Sequence, residues 1–277
     1  MLLSNRLNFL FVHIAKTGGT SVRAALKRSC WRDPYRIPSY LCDRISHLCG
    51  HRIAAKLPRH AAAVGAKEMF TPAQFESLFK FTFVRNPWDR HVSAYHHFLR
   101  DQESLLDELG LKSFEDFTRW LLIESKSYLG RKHVLVTAAR RSQAEHLMDT
   151  DGQLLVDFVG RYERLSDDFK EVCRRIQLDS VQIPHRRRSS GRGDYREYYT
   201  DRTAELVGEV YHLDSTLLGY RFDRVTCSVD PLEQSDETNV PMETIADLRS
   251  QNAPSLRTPR TDFQVASEAE RLSPAML

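Results

Sequence analysis

The apolar positions of this chain fall into short unbroken runs and longer segments of helical spacing. Phe9, Leu10, Phe11, Val12 and Ile14 form a run that suits a strand buried on both faces. A second run covers residues 79–84 (FKFTFV) and a third residues 154–160 (LLVDFVG). After each run the period changes to helical. Val22, Ala25 and Leu26 follow the first, and Trp88, Val92, Tyr95 and Leu99 share a face after the second. Ser113 caps a helix with Phe114, Phe117, Leu121 and Leu122 at helical spacing. Ser166 opens another, with Asp167 and Asp168 in its first turn and Phe169, Val172, Cys173 and Ile176 on one face. Thr71-Pro72-Ala73-Gln74 is a capping box with proline at the first helical position, predicting a short helix to about Leu78. Thr200 caps a last helix carrying Ala204, Val207, Val210 and Tyr211, and residues 217–222 close the unit. Strands alternating with helices predict one α/β domain in three layers, a central parallel sheet with helices on both faces.

Composition changes this picture at the ends and in two middle segments. From about Thr226 the chain is rich in Ser, Thr, Glu, Asp, Pro and Gln, with Phe263 its last aromatic, so a domain over 1–225 and a disordered tail over 226–277 are expected. Residues 30–57 have no clear period and read as an irregular excursion. Residues 125–150 are basic through Arg131, Lys132, Arg140 and Arg141, and read equally well as a ligand-facing segment or a solvated surface. A net charge of +3 is too small for a nucleic-acid-coating protein. No run has the length of a membrane span, and the first strand begins too near Met1 to leave room for a signal peptide, so a cytoplasmic protein is expected. The five cysteines show no framework spacing, which fits a reducing compartment. Cys42, His47, Cys49 and His51 match no common zinc spacing, and no metal is expected.

The candidate chemistry lies where the first two runs end. Lys16-Thr17-Gly18-Gly19-Thr20-Ser21 follows the first strand and opens a helix. A strand, a glycine turn and a helix start aim backbone N–H groups and the positive end of the helix dipole at one point, which is an anion site suited to phosphate. Lys16 adds a mobile cation, and Thr17, Thr20 and Ser21 add hydroxyls. In the ATP-type loop the lysine follows the glycines; here it precedes them. The second run ends in Arg85-Asn86-Pro87, followed by a helix with Arg90, Ser93 and Tyr95.

The pair K-T-G-G-T-S and R-N-P-x-x-R-x-x-S-x-Y resembles the two nucleotide signatures of sulfotransferases that use 3′-phosphoadenosine-5′-phosphosulfate (PAPS), and the flanking residues look most like the carbohydrate sulfotransferases of family 2. The resemblance covers about residues 9–222 and departs at Ala15, where that branch usually has proline. It implies a P-loop-NTPase-like α/β fold, PAPS as sulfuryl donor, and a hydroxyl-bearing acceptor, a saccharide in that branch. It implies that Lys16 neutralises the leaving oxygen, that residues 18–21 with Thr17 hold the 5′-phosphate, and that Arg85 and Ser93 hold the 3′-phosphate. Arg90 is read either as a ligand or as a structural residue paired with an acidic neighbour. Tyr162-Glu163 resembles a pair that contacts adenine in the wider family. Residues 193–200 (GDYREYYT) look like a stretch of cytosolic sulfotransferases preceded by a phosphate-closing loop; there Arg188 matches, Ser189 and Ser190 do not, and Arg186 and Arg187 offer substitutes. His60, between the two motifs, is the expected general base, with His185 as runner-up and His13 as a packing residue. Two other classes remain open: an ATP-dependent P-loop kinase, disfavoured by the lysine position, and a non-catalytic module binding nucleotides or acidic glycans.

Overall fold

The structure is a computed structural model. It describes residues 1–33, 59–125, 134–179, 181–184 and 193–223, with Leu41 and Ile45. The cluster of Cys42, His47, Cys49 and His51, the basic residues Arg131 and Lys132, and the expected tail over 226–277 lie outside the described residues.

Four strands form the sheet in the order β1 (Leu2–Ser4), β2 (Phe9–Val12), β3 (Phe79–Val84) and β4 (Phe158–Arg161). β2, β3 and β4 are mutually parallel, with Phe11 opposite Phe81 and Phe81 opposite Phe158. β1 is antiparallel to β2, an edge strand of three residues that is too short to leave a hydrophobic period in the sequence.

Side-chain alternation along the strands builds two cores. Phe9, Phe11, Phe81, Phe83 and Phe158 face α1 (Gly19–Lys27) and α9 (Leu165–Arg175), meeting Val22, Leu26, Phe169 and Val172. Leu10, Val12 and Val84 face the other way, onto Ala63 and Ala66 of α2 (Ala63–Lys67), Phe75 of α3 (Pro72–Ser77), Leu147 of α8 (Gln143–Leu147) and Leu218 of α11 (His212–Leu218). Each fully buried phenylalanine or leucine contributes about 1.5–3 kcal/mol of transfer free energy, so the sheet is the most costly part of the molecule to expose. The expected three-layer arrangement is therefore present. Beside it, α4 (Pro87–Asp101), α5 (Glu103–Glu108), α6 (Phe114–Leu122) and α7 (Val134–Arg140) share a cluster of Phe98, Leu106, Phe117, Trp120 and Val136. Trp88, Leu122, Val207 and Tyr211 join α4 and α6 to α10 (Asp201–Val210). Among the described residues no helix is long and apolar enough to cross a membrane.

The capping box expected at Thr71 is formed with Gln74, and the cap expected at Ser113 is formed as well, there as a full capping box with Asp116 as reciprocal partner. Three expectations need correction. The third strand is Phe158–Arg161, not 154–160: Leu154 makes only an isolated bridge to Met148, while Leu155 and Val156 are core residues without ladder partners. Asp157 starts the pairing, its N–H donating to the Lys80 carbonyl and its carboxylate accepting from the Lys80 N–H, both at 2.7 Å. On α4 Trp88 and Val92 are buried as expected, but the inward face turns through Arg90, His91, Ala94 and Phe98, and Leu99 is 40% exposed. A hydrophobic pattern misses that rotation because two of the inward residues are polar. Tyr211 ends α10, and a further helix, α11, follows it.

Three histidines are buried among these elements. His91 donates from Nε2 to Thr118 Oγ1 at 3.0 Å, and Thr118 in turn donates to the Phe114 carbonyl. His146 donates from Nδ1 to the Ser142 carbonyl at 3.0 Å. Burial, and then the charge of Arg90, push the pKa of His91 down to about 3. Burial pushes that of His146 to about 3 and that of His13 to about 2. Folded, these rings stay neutral where the unfolded chain takes up a proton, so their contribution is fully present above pH ~6.5 and is lost as pH falls below it. Each should remove about 1.4 kcal/mol per pH unit between roughly pH 6 and 4. Denaturant unfolding at a series of pH values should show a steep loss over that interval. Constant stability from pH 7 to 4 would contradict the buried neutral state.

Candidate functional site

The chain leaves β2 at Val12 and enters α1 at Gly19 through a loop held by its own backbone. Lys16 takes a left-handed conformation (φ 70°), as does Gly18 (φ 81°). Thr17 is buried and its hydroxyl donates to the Ile14 carbonyl at 3.1 Å, so it shapes the loop. Gly18 is the N-cap of α1, its carbonyl accepting from Ser21 N at 2.9 Å and Val22 N at 3.3 Å. Among the described residues no side chain caps this helix, and its first turn has no acidic residue. The N–H groups of Gly19 and Thr20 thus sit at a helix start with its positive dipole end unneutralised by the local sequence, and an anion suits this position. Gly19 is required for space: a Cβ there would lie 2.0 Å from Cδ2 of His13, whose ring is stacked on Phe11.

The second motif reaches across to this loop. Arg85, the residue after β3, donates from Nη1 to the Lys16 carbonyl at 3.3 Å and from Nε to Asp89 at 2.6 Å. Its guanidinium lies 3.9 Å from the centroid of the Tyr162 ring. That ring also packs on Gly18, its Cδ2 being 3.0 Å from where a Cβ would stand. Asn86 caps α4, its Oδ1 accepting from Trp88 N and Asp89 N, while its own N–H donates to Glu163 at 2.7 Å. Glu163 accepts from the Tyr220 hydroxyl as well, so it is a structural bridge here. Ser93 lies one turn beyond Asp89 on the same side of α4.

Arg90 makes structural bonds, but to partners other than the acidic neighbour that was expected. Among the described residues no acidic side chain pairs with it: the residue is 2% exposed and its guanidinium donates to backbone carbonyls, Ala15 at 3.1 Å from Nε, and Ala138, Ala139 and Arg141 at 3.0, 3.4 and 2.9 Å from Nη2. The carbonyls are those of the loop between β2 and α1 and of the C-terminal end of α7, whose exposed dipole end suits a cation. A sequence motif cannot show a carbonyl as a partner.

His60 is brought to the loop by its neighbour His13. His60 Nδ1 donates to the His13 carbonyl at 3.0 Å, and the two rings lie 4.6 Å apart. This bond places the ring proton on Nδ1 and leaves the lone pair on Nε2. Burial lowers the His60 pKa, the carbonyl bond opposes this, and the charges of the Met1 amine, Arg59 and Arg23 lower it further. His13 packs between Phe11 and Gly19, as expected for a loop-packing residue.

His96 is a residue that the sequence reading missed. Its Nε2 is hydrogen-bonded to the Tyr198 hydroxyl at 2.8 Å, and burial followed by the charge of Lys16 lowers its pKa. Its position three residues after Ser93, on the same helix face, was the available signal. Tyr198 belongs to a short turn, Tyr195–Tyr198, capped by Asp194. The structure thus gathers Lys16, Thr17, Gly18, Gly19, Thr20, Ser21, Arg85 and Tyr162 at one end of the sheet, with His60 reaching them through His13. Arg188, and with it Arg186, Arg187 and His185, lie outside the described residues.

The profile of the sulfotransferase family matches residues 1–221. No curated protein matches the sequence. Among solved structures, the crystal structure of a sulfotransferase from Alicyclobacillus acidocaldarius is similar at 16% identity and a TM-score of 0.44, over 80% of this chain and 98% of that one.

Substitution of Gly19 by Ala should cost stability and weaken anion binding at least tenfold, about 1.4 kcal/mol or more, because the His13 ring must give way. The same substitution in a His13→Ala background should cost less than half as much. Equal costs in both backgrounds, measured by unfolding and phosphate titration, would refute the steric account.

Proposed function

Because the chain belongs to the sulfotransferase family, in its family 2 branch, we propose that it moves the sulfuryl group of PAPS to a hydroxyl of a carbohydrate, by in-line transfer without a metal ion. The observation that carries this reading is the bond from Arg85 to the Lys16 carbonyl, which joins the two motifs into one cationic site. A doubly phosphorylated nucleotide needs two anion positions a fixed distance apart, and two rigidly connected motifs meet that need.

In this reading the N–H groups at the start of α1, with Gly18, Gly19, Thr20 and Ser21, hold the 5′-phosphate end, on a loop whose shape the buried Thr17 hydroxyl sets. Arg85 and Ser93 hold the 3′-phosphate, Arg188 closes over it, and Tyr162 contacts the adenine. The bond from sulfur to the 5′-phosphate oxygen breaks as the bond to the acceptor oxygen forms. Lys16 neutralises the leaving oxygen, and His60 takes the hydroxyl proton at Nε2, leaving adenosine 3′,5′-bisphosphate and the sulfated acceptor. The catalytic domain in this proposal spans residues 1–225, with PAPS and the saccharide as its partners and the cytoplasm as its compartment.

Calorimetric titration with adenosine 3′,5′-bisphosphate, repeated with ATP and magnesium, tests the donor; the bisphosphate should bind far more tightly, and a preference for ATP would sink the proposal. Lys16→Ala should lower kcat by about 10²–10³ while changing bisphosphate affinity by less than about 10-fold. Comparable losses in both would instead indicate a binding module. His60→Ala should lower kcat by about 10². With His60 as base, kcat/KM should be level above pH ~6.5 and decline only below it, since burial and nearby cations depress its pKa. A decline that begins well above pH 7 would remove His60 from that role.

A further inference from the structure

Gln143 belongs to neither sequence motif, yet its side chain is completely buried and bonded to the backbone of Arg85. Its Oε1 accepts from the Arg85 N–H at 2.9 Å, and its Nε2 donates to the Arg85 carbonyl at 2.8 Å. Arg85 lies one residue past the last pair of the β3–β4 ladder, Val84 opposite Arg161. The Gln143 amide, through one of its two N–H donors and its acceptor, therefore takes the place of a neighbouring strand for this residue. Its orientation is dictated by a second acceptor: Nε2 also donates to Asp214 Oδ2 at 3.0 Å. Only the NH₂ group can serve both the carbonyl and the carboxylate, so a flipped amide would face two acceptors with an oxygen. Asp214 is itself fully buried and held through Oδ1 by the Ser142 hydroxyl at 2.6 Å and the Ala144 N–H at 2.9 Å.

We propose that Gln143, oriented by Asp214, is a positioning residue that fixes the backbone of Arg85 and thereby sets the preference of the site for nucleotides carrying a 3′-phosphate. The inference rests on the role proposed above for Arg85. The guanidinium is at the end of a long side chain, so a small rotation of its peptide moves it by ångströms. Its contacts to Asp89, the Lys16 carbonyl and Tyr162 orient the side chain only while the backbone is fixed. A residue that merely tied α8 to the sheet would affect stability and all ligands alike. A residue that positions Arg85 affects the increment due to the 3′-phosphate.

The full chain is titrated with adenosine 3′,5′-bisphosphate and with adenosine 5′-monophosphate, and the affinity ratio is taken. Gln143→Met should lower bisphosphate affinity by about 10-fold or more and monophosphate affinity by less than about 2-fold. In an Arg85→Met background it should leave the ratio unchanged, because the group it positions is gone. An unaltered ratio in Gln143→Met, or equal weakening of both ligands, overturns the inference. If that variant does not fold, Ser142→Ala removes one donor from Asp214 and should lower the ratio about 3-fold; no change overturns the proposal. In the unsubstituted protein the Arg85 amide should exchange with deuterated solvent as slowly as that of Val84, and rapid exchange also overturns it. A wild-type chain that binds the two nucleotides alike would instead remove the donor assignment itself, a failure distinct from loss of the Gln143 effect alone.

Discussion

The site depends on buried guanidinium groups bonded to backbone carbonyls. Arg90 holds the Ala15 carbonyl and Arg85 the Lys16 carbonyl, on either side of a peptide whose lysine is left-handed. Taking an arginine out of water costs several kcal/mol unless its donors are met. Here Arg90 meets carbonyls from two separate segments, so the loop and the end of α7 are bound to the same side chain. A non-glycine residue in this conformation stores strain of order 1 kcal/mol, which persists only where its surroundings over-determine it. These bonds supply that constraint.

Burial governs the histidines, and neighbouring cations add to it. His13, His60, His91, His96 and His146 are all lowered first by burial, and the charges of Arg23, Arg59, Arg90, Lys16 and the Met1 amine add to the effect. A field that attracts a polyanion thus also keeps a histidine unprotonated near neutrality. In the proposed function, affinity for a polyanion and an unprotonated base would follow from one charge distribution.

Much of the architecture was visible in the sequence. The run 79–84 is the strand that was expected, and the caps at Thr71, Ser113 and Thr200 start the expected helices. These features are local: burial on both faces makes a strand uniformly apolar, and a cap satisfies N–H groups within three residues of itself. The loop of residues 16–21 and the place of Arg85 at a strand end were visible for the same reason. The edge strand β1, the late start of β4 and the exposure of Leu99 were not, because each depends on what lies beside the segment.

The sequence alone determined that a helix would begin at a glycine turn after a buried strand, with a lysine before it and an arginine at the end of a second such strand. It did so because those residues act through backbone geometry within a single turn. Only the tertiary structure decided what the polar side chains between them do. It turned Arg90 to carbonyls rather than to an acid, gave His60 its tautomer through the His13 carbonyl, brought His96 to Tyr198, and aligned Gln143 with Arg85. Backbone N–H and carbonyl groups are the same at every position and carry no mark in the sequence. A side chain bonded to one can be identified only when the chain has folded.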